Sequence, residues 1–376
     1  MNYFISAGEA SGDMHASALM RALKALDKEA RFCFLGGDMM AAEAGVAPVV
    51  DYRRMAYMGF SEVLRHLPDI FANLRAAKGA IDASEADCVI LVDYPSFNLK
   101  LARYARRKGI RVFYFIAPKV WAWKEWRVKS IRRDVDKVLS ILPFEVDYFS
   151  GKGVRVEYVG NPSQEEIDGE AARLRAQSDS FAERMGLAGG KGILALVPGS
   201  RRGEIRNNLP VMDAVARMHP ELQAVVAGAP AIEREFYRGY SELPVVENAT
   251  FELMVNAVAA LVTSGTATLE CALAGTPQVV CYRANGKRLS YNIMKHLIKV
   301  PYVSLPNLIA DEGVIPEMLV HECTAEAVEE RLREILPGAP GRERQLEGYR
   351  RMRERLGTNE AAEAAARVII NDLNEG

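Results

Sequence analysis

The sequence predicts an α/β fold: two Rossmann-like domains on parallel sheets, an interdomain cleft for ligand, and helices at the C-terminus. Three observations predict it. Short apolar runs alternate with helical patterns almost from the first residue, the rhythm breaks over residues 163–191 before resuming, and the chain turns helical after about Pro316. Apolar runs separated by helical segments read as βαβ units, hence parallel strands covered on both faces. A length of 376 residues suits two domains rather than one.

In the first half the strands are NYFISAG, RFCFLGG, CVILVD, RVFYFIAP, KVLSIL and RVEYVG, with a helix from about Ser11 to Leu26 after the first. They make a domain over 1–162. The charged, Gly-flanked stretch 163–191 reads as a linker. GILALVPG, QAVVAG, PVVEN, AALVTSG and QVVCYR then make a second domain over 192–341. PGAPG at 337–341 breaks the chain, and 342–376 holds two helices, roughly Arg342–Leu356 and Asn359–Leu373. The alanines of the last permit close packing, on the first domain or on a partner chain, which leaves a homodimer open. Ligands of open parallel sheets sit beyond the carboxyl ends of the strands, so a cleft between two such sheets is the natural site.

Hydrophobic residues make up 49%, charged residues 26%, and the net charge is -1, so the chain as a whole is neither disordered nor a polyanion binder. Cys33, Cys88, Cys271, Cys281 and Cys323 show no CxxC spacing and read as buried thiols in a reducing compartment. MNYFISAGEASGD has no basic n-region, and no window approaches about 18 uninterrupted apolar residues. The expectation is a cytoplasmic protein that touches a membrane surface at most.

Residues 264–277, SGTATLECALAGTP, pose the sharpest question: a strand ends in a tight turn, and the short apolar helix after it keeps one carboxylate. Gly265 and Thr266 would open that helix, whose free N–H groups suit a diphosphate. Glu270, one turn in, could accept hydrogen bonds from a ribose diol, or simply face solvent. LVPGSRRGEI repeats the pattern, with Gly199, Ser200 and Arg201 at a strand's carboxyl end; a guanidinium there can fork onto phosphate oxygens, or belong to a solvated basic loop. In the first domain SAGEASGDMHAS puts Glu9 and Ser11 between Gly8 and Gly12, without a GxGxxG or Walker pattern. LVDYPSFN places Asp93 at a strand end, as a general base toward a hydroxyl or as a helix cap. His15 is a weaker acid–base candidate. Asp134-Val-Asp136 matches a metal-binding DxD but reads as an incidental turn, and no other metal-ligand pattern occurs, so no metal is expected.

From Lys100 to Lys137 there are 13 Lys/Arg against 3 Asp/Glu, with all three tryptophans, Trp121, Trp123 and Trp126. That mixture suits an anionic membrane surface; no nucleic-acid motif accompanies it. Upstream, Phe60, Val63, Leu64, Leu67, Ile70, Phe71 and Leu74 form a helical stripe, either facing the core or lying on lipid, and Pro68 predicts a kink or two short helices.

Taken together, SAGEASGD, MGFSEVL, LVDYPSFN, APKVWAWKEWRVKSI, LPFE, VPGSRRGEI, SGTATLECAL, Tyr282-Arg283 and YVSLPNLIA run nearly end to end in the order found in lipid-A-disaccharide synthases, and the chain resembles that family. The resemblance implies a GT-B fold and an inverting glycosyltransferase. The reaction implied joins UDP-2,3-diacylglucosamine to the 6-hydroxyl of 2,3-diacylglucosamine 1-phosphate through a β-1,6 bond and releases UDP. It implies no metal and no cofactor, the UDP-sugar being a substrate, and a place on the inner face of the inner membrane as a peripheral enzyme. UDP would lie on the C-terminal domain, against Gly199, Ser200, Arg201, Gly265, Thr266 and Glu270. The acceptor and acyl chains would lie toward the N-terminal domain, with Phe60, Leu64, Leu67, Phe71 and the tryptophans on the lipid side. Asp93 would be the base and Arg201 would stabilise the leaving diphosphate, while Glu9, Ser11, Asn307 and Arg283 would position sugar or phosphate groups. Two departures stand out: Ser96 where the family often has a second Asp, and Gly160-Asn161-Pro162 where it often has Gly-His-Pro. Asn161 cannot carry a proton at neutral pH. The rivals are another GT-B enzyme acting on UDP-N-acetylglucosamine, transferase or epimerase, which leaves the Trp-basic segment unexplained, and a non-catalytic lipid-binding relative, against which Asp93, Arg201 and Glu270 speak together.

Overall fold

The computed structural model describes residues 1–55, 67–121, 124–176, 178–187, 190–283, 301–357 and 360–375. It falls into two compact units, Met1–Pro162 with the segment from Thr358 onward, and Ser163–Gly357. Among the described residues no helix is long and apolar enough to cross a membrane.

The first unit is a seven-stranded sheet. Its strands are β1 (Asn2–Ala7), β2 (Arg31–Gly36), β3 (Val50–Asp51), β4 (Cys88–Val92), β5 (Arg111–Phe115), β6 (Lys137–Ser140) and β7 (Val156–Tyr158), in the order β3-β2-β1-β4-β5-β6-β7 and parallel throughout. Side chains alternate along each strand. Tyr3 and Ile5 of β1 join one core with Leu19, Met20 and Leu23 of the helix Ala10–Leu26, and Phe4 joins the other with Leu74, Ala77 and Ile81 of the helix Leu67–Ala83. Burial on both faces is why CVILV carries no polar residue.

The second unit is a six-stranded parallel sheet of β8 (Ile193–Val197), β9 (Gln223–Gly228), β10 (Val245–Glu247), β11 (Ala257–Val262), β12 (Gln278–Tyr282) and β13 (Glu317–Leu319), ordered β10-β9-β8-β11-β12-β13. In each sheet the order reverses once, between β1 and β4 and between β8 and β11. Helices leave in opposite directions at such a point, and a crevice opens at the strands' carboxyl ends.

Several expectations need correction. Residues 163–191 are largely helical, Pro162–Arg175 and Ser178–Arg184, and belong to the second unit, where Phe181 is fully buried with Leu187, Leu253 and Met254. The two C-terminal helices do not form one body. Pro340–Leu356 stays with the second unit, where Gln345 and Gln278 exchange two hydrogen bonds of 2.7 and 3.0 Å. Ala361–Asn374 packs in the first, where Ala365, Ala366 and Ile369 are fully buried in the core that holds Leu19 and Met20. Asp372 fixes it there, paired with Arg111 at 3.1 Å, Lys137 at 3.1 Å and Arg155 at 3.6 Å. Strands β3 and β13 were not expected; at two and three residues neither carries an apolar run long enough to show. Pro68 lies in the first turn of the helix Leu67–Ala83; the expectation of a kink or two short helices turns on residues 56–66, which lie outside the described residues.

Candidate active site

At the first switch point β1 runs into Gly8 and Glu9, and β4 into Asp93 and Tyr94. Asp93 and Tyr94 both have φ of 45°, in the left-handed region that an aspartate tolerates and a tyrosine seldom adopts. The surroundings impose it. Asn98, fully buried, donates through Nδ2 to the Asp93 carbonyl at 2.7 Å and to that of Val92 at 3.1 Å, and accepts from Ser6 Oγ at 2.7 Å. The Tyr114 hydroxyl donates to the same Asp93 carbonyl at 2.7 Å, and that of Tyr94 to the Met55 carbonyl at 2.7 Å. The Asp93 backbone is thus clamped through its carbonyl. Gly8 serves this turn rather than a ligand: a Cβ on it would lie 2.3 Å from Tyr94 Cγ.

Burial pushes the Asp93 carboxyl above the usual carboxylate range, with the Tyr94 N–H and the charge of Lys119 pulling it back. Glu9 is raised too, by burial first and then by the charge of Asp93. Two carboxyls that resist ionising together make a better proton acceptor of whichever ionises. Ser11 is exposed in the first turn of its helix. His15 is held below its ordinary value by burial and stays neutral near pH 7. The Asp of SAGEASGD that sequence reasoning passed over, Asp13, is structural: buried, it accepts from the N–H groups of Gly37 at 2.6 Å and Met39 at 3.1 Å.

The second switch point brings together all six residues expected to hold UDP. Gly199, Ser200, Arg201, Gly265, Thr266 and Glu270 line one cavity of about 360 Å³, with Thr263, Ser264, Thr250 and Ala229. Gly265 has φ of 144°, open only to glycine, and so turns β11 sharply into the helix Thr266–Leu273. Gly199 has φ of 118°, and a Cβ there would meet Glu204 Oε2 at 2.5 Å. Glu204 is the unforeseen member. Its carboxylate accepts from the N–H groups of Ser200 at 3.1 Å and Arg201 at 3.3 Å and from Arg201 Nη1 at 3.2 Å, capping the helix Arg202–Arg217. The Arg201 side chain is nonetheless 81% exposed, a cation lining the cavity. Asn208, buried, ties three strand ends together: it donates to the Pro198 carbonyl at 3.2 Å and Thr263 Oγ1 at 2.9 Å and accepts from the Arg283 N–H at 2.8 Å. Arg283 is held at the end of β12 by that bond, its side chain exposed.

Asn307 turns into the protein. It is buried, its amide N–H groups are taken by the Ile315 carbonyl and Glu317 Oε1, both at 2.9 Å, and its oxygen accepts from Ile315 N–H at 2.8 Å. Glu317 gathers the same loop by accepting from Ser304 N–H at 2.9 Å. Together these bonds shape that loop.

The Trp-basic segment splits. Trp126 is 65% exposed, and its guanidinium neighbour Arg127 lies 5.6 Å from the ring centroid; Trp126, Val128, Lys129, Arg132 and Lys152 line a groove of about 450 Å³. Trp121 is 8% exposed and turned inward, its indole N–H donating to Glu145 Oε1 at 2.9 Å, which corrects its assignment to a lipid face. Phe71 is 55% exposed under Lys100, whereas Leu74 of the same stripe is buried. Phe60, Leu64 and Trp123 lie outside the described residues, as does the Leu67 side chain. Asp136 accepts from Val112 N–H and pairs with Arg106, and Asp134 pairs with Arg133, so the DxD carboxylates are structural. Asn161 is buried, donating to the Ile141 carbonyl at 3.0 Å.

Glu145, the acid of LPFE, is fully buried between Trp121 and Ser140, whose hydroxyl donates to it at 2.5 Å. Burial pushes its pKa up to about 7; the bonds from Ser140 and Trp121 and the charge of Lys119 oppose this. The folded state therefore holds a proton that the unfolded chain releases near pH 4.5, so stability falls as pH rises from about 4.5 to about 7 and levels off above. The fall amounts to at most about 3 kcal/mol. Glu145→Gln should abolish that component, and melting temperatures of both proteins between pH 4 and 8 measure it.

The comparisons agree with this geometry. Residues 3–369 match the family model described as lipid-A-disaccharide synthetase. Relatives bearing the name lipid-A-disaccharide synthase include those of Myxococcus xanthus, 41% identical over 99% of this chain and 97% of the relative, and Acidobacterium capsulatum, 38% identical over 98% and 94%. Among solved structures, the UDP-GlcNAc 2-epimerase of Neisseria meningitidis bound to UDP-GlcNAc superposes with a TM-score of 0.64 at 13% identity, covering both chains fully. The S. aureus MnaA–UDP structure gives 0.66 at 14%, over 99% of this chain and 97% of that one. At such identities these two speak for the fold, which is GT-B. With a family match running almost end to end and full-length relatives above a third identical, the chain belongs to the lipid-A-disaccharide synthase family, glycosyltransferases of lipid A biosynthesis.

Proposed function

We propose that the protein transfers 2,3-diacylglucosamine from its UDP donor to the 6-hydroxyl of 2,3-diacylglucosamine 1-phosphate, with the donor on the second unit and the acceptor on the first. The observation that carries this reading is the convergence of Gly199, Ser200, Arg201, Gly265, Thr266 and Glu270 on one cavity at a switch point, with Asp93 clamped at the other. Asp93 takes the proton of the acceptor O6 as that oxygen attacks the donor's anomeric carbon from the face opposite UDP. The C1–O bond to the diphosphate breaks and the configuration inverts. Charge growing on the diphosphate is met by Arg201 and by the free N–H groups that open the helix Thr266–Leu273, while Glu270 accepts from the ribose diol. Glu9, at hand beside Asp93, holds a sugar hydroxyl. No step calls for a metal or a cofactor.

The exposed Trp126 with Lys129 and Arg132 supports an anionic membrane surface as the second partner, the aromatic ring sitting at headgroup level and these two cations on lipid phosphates, while Lys152 is held by Glu125 at 2.6 Å on the same groove. This fits a peripheral place on the cytoplasmic face of the inner membrane. The test is the purified protein with both acylated sugars, scored by mass spectrometry. Disaccharide 1-phosphate and UDP in equal amounts are expected. Turnover of lipid-free UDP-N-acetylglucosamine with none of the acylated pair would replace this reading with an epimerase-like one.

A further inference from the structure

Beside Asp93 stand two cations that the transfer chemistry does not use. Arg127 is half-buried, and its Nη2 donates to Ser96 Oγ at 2.9 Å. Among the described residues no carboxylate pairs with it; its other contact is the Trp126 ring. In the same basic segment, by contrast, Arg106 pairs with Asp136 and Arg133 with Asp134; what sets Arg127 apart from the exposed Lys129 is its half-burial and its bond to Ser96. Ser96 lies three residues beyond Asp93, in the first turn of the helix Pro95–Arg107, so the guanidinium is aimed at the switch point from one side. Lys119 comes from the other. Ala117, Pro118, Val120 and Trp121 around it are all buried, and Lys119 alone emerges. Strand β5, which leads into that segment, pairs with β4 so that Phe115 lies opposite Val92, directly before Asp93. The charge of Lys119 is felt by the Asp93 carboxyl.

A half-buried guanidinium whose only hydrogen-bond partner is a hydroxyl suits an oxyanion with several acceptor atoms, since it forks onto two oxygens while the hydroxyl serves a third. The acceptor proposed above carries such a group: a phosphomonoester on C1, which flanks the ring oxygen together with C5, the carbon that bears the O6 arm Asp93 would activate. We infer that Arg127, with Ser96 Oγ and Lys119, binds the acceptor's anomeric phosphate and makes the enzyme select a phosphorylated acceptor over the same sugar without phosphate. This rests on the reading that the first unit takes the acceptor.

The experiment measures initial rates in neutral detergent at saturating donor, with diacylglucosamine 1-phosphate and with diacylglucosamine lacking the phosphate. The wild type should prefer the phosphorylated acceptor. Arg127→Ala should raise KM for it by roughly 10- to 100-fold, the range of a lost charge-assisted bond, with kcat little changed and the donor KM unmoved, so that the preference collapses. Arg127→Lys should recover part of it, and Lys119→Ala, at an exposed position, should lose several-fold. A wild type without preference overturns the inference. So does an Arg127→Ala protein that melts normally and keeps the preference, or one whose donor KM rises instead, which would assign the cations to the donor. If Arg127→Ala does not fold, unaltered preference in both Arg127→Lys and Lys119→Ala overturns it. A loss seen only on phosphatidylglycerol vesicles would assign the cations to lipid headgroups and likewise overturn it. Failure of the base assignment shows separately, as turnover retained by an Asp93 variant.

Discussion

Asp93→Asn should lower turnover by about 10²- to 10⁴-fold, the usual worth of a positioned general base, while UDP affinity and melting temperature stay close to wild type. The clamp on this residue acts through its backbone carbonyl, which Asn98 and Tyr114 hold at 2.7 Å each, so replacing the carboxylate leaves the turn intact. The pH profile carries a second signature. A base whose pKa is raised by burial loses activity as pH falls through that raised value, so the acid limb of kcat/KM should lie above the ordinary carboxylate range. Glu9 and Asp93 repel each other when both are ionised. A folded Asp93→Asn protein turning over near the wild-type rate would discard the base.

Arg201→Ala should cost about 10²- to 10³-fold in kcat, comparable to removing one donor from a developing anion, and should weaken UDP binding as well. The side chain is exposed where it lines the cavity, so no packing is lost with it. Glu204 would keep its bonds to the N–H groups of Ser200 and Arg201, and the helix cap would survive. Arg201→Lys should rescue only part, because an ammonium cannot fork onto two phosphate oxygens. Unchanged rate and unchanged UDP affinity in Arg201→Ala, followed by single-turnover kinetics and calorimetry, would remove Arg201 from the site.

Much of the site could be read before any coordinates. VPGSRRGEI and SGTATLECAL each show an apolar run, a glycine turn and a helix start, and those local signals led to residues that line one shared cavity. What could not be read were contacts between segments far apart in sequence. Asn208 looks like an ordinary helix residue until Thr263 and Arg283 are seen bonded to it. Nothing local shows that Ile315 and Glu317 use up the Asn307 amide. Trp121 and Trp126 are five residues apart in one basic segment, yet one is anchored to buried Glu145 and the other lies open to solvent.

The sequence by itself determined the fold class, the strand-end turns and the kind of ligand each turn could take, because strand and helix periodicity and glycine's positive φ are properties of short stretches of chain. Only the tertiary structure decided which strands are neighbours, and with that where the chemistry gathers. Parallel pairing of β1 with β4 and of β8 with β11 is set by how whole helices pack on the two faces of a sheet. No local pattern encodes that order, yet it brings Glu9 beside Asp93 and Arg201 beside Glu270.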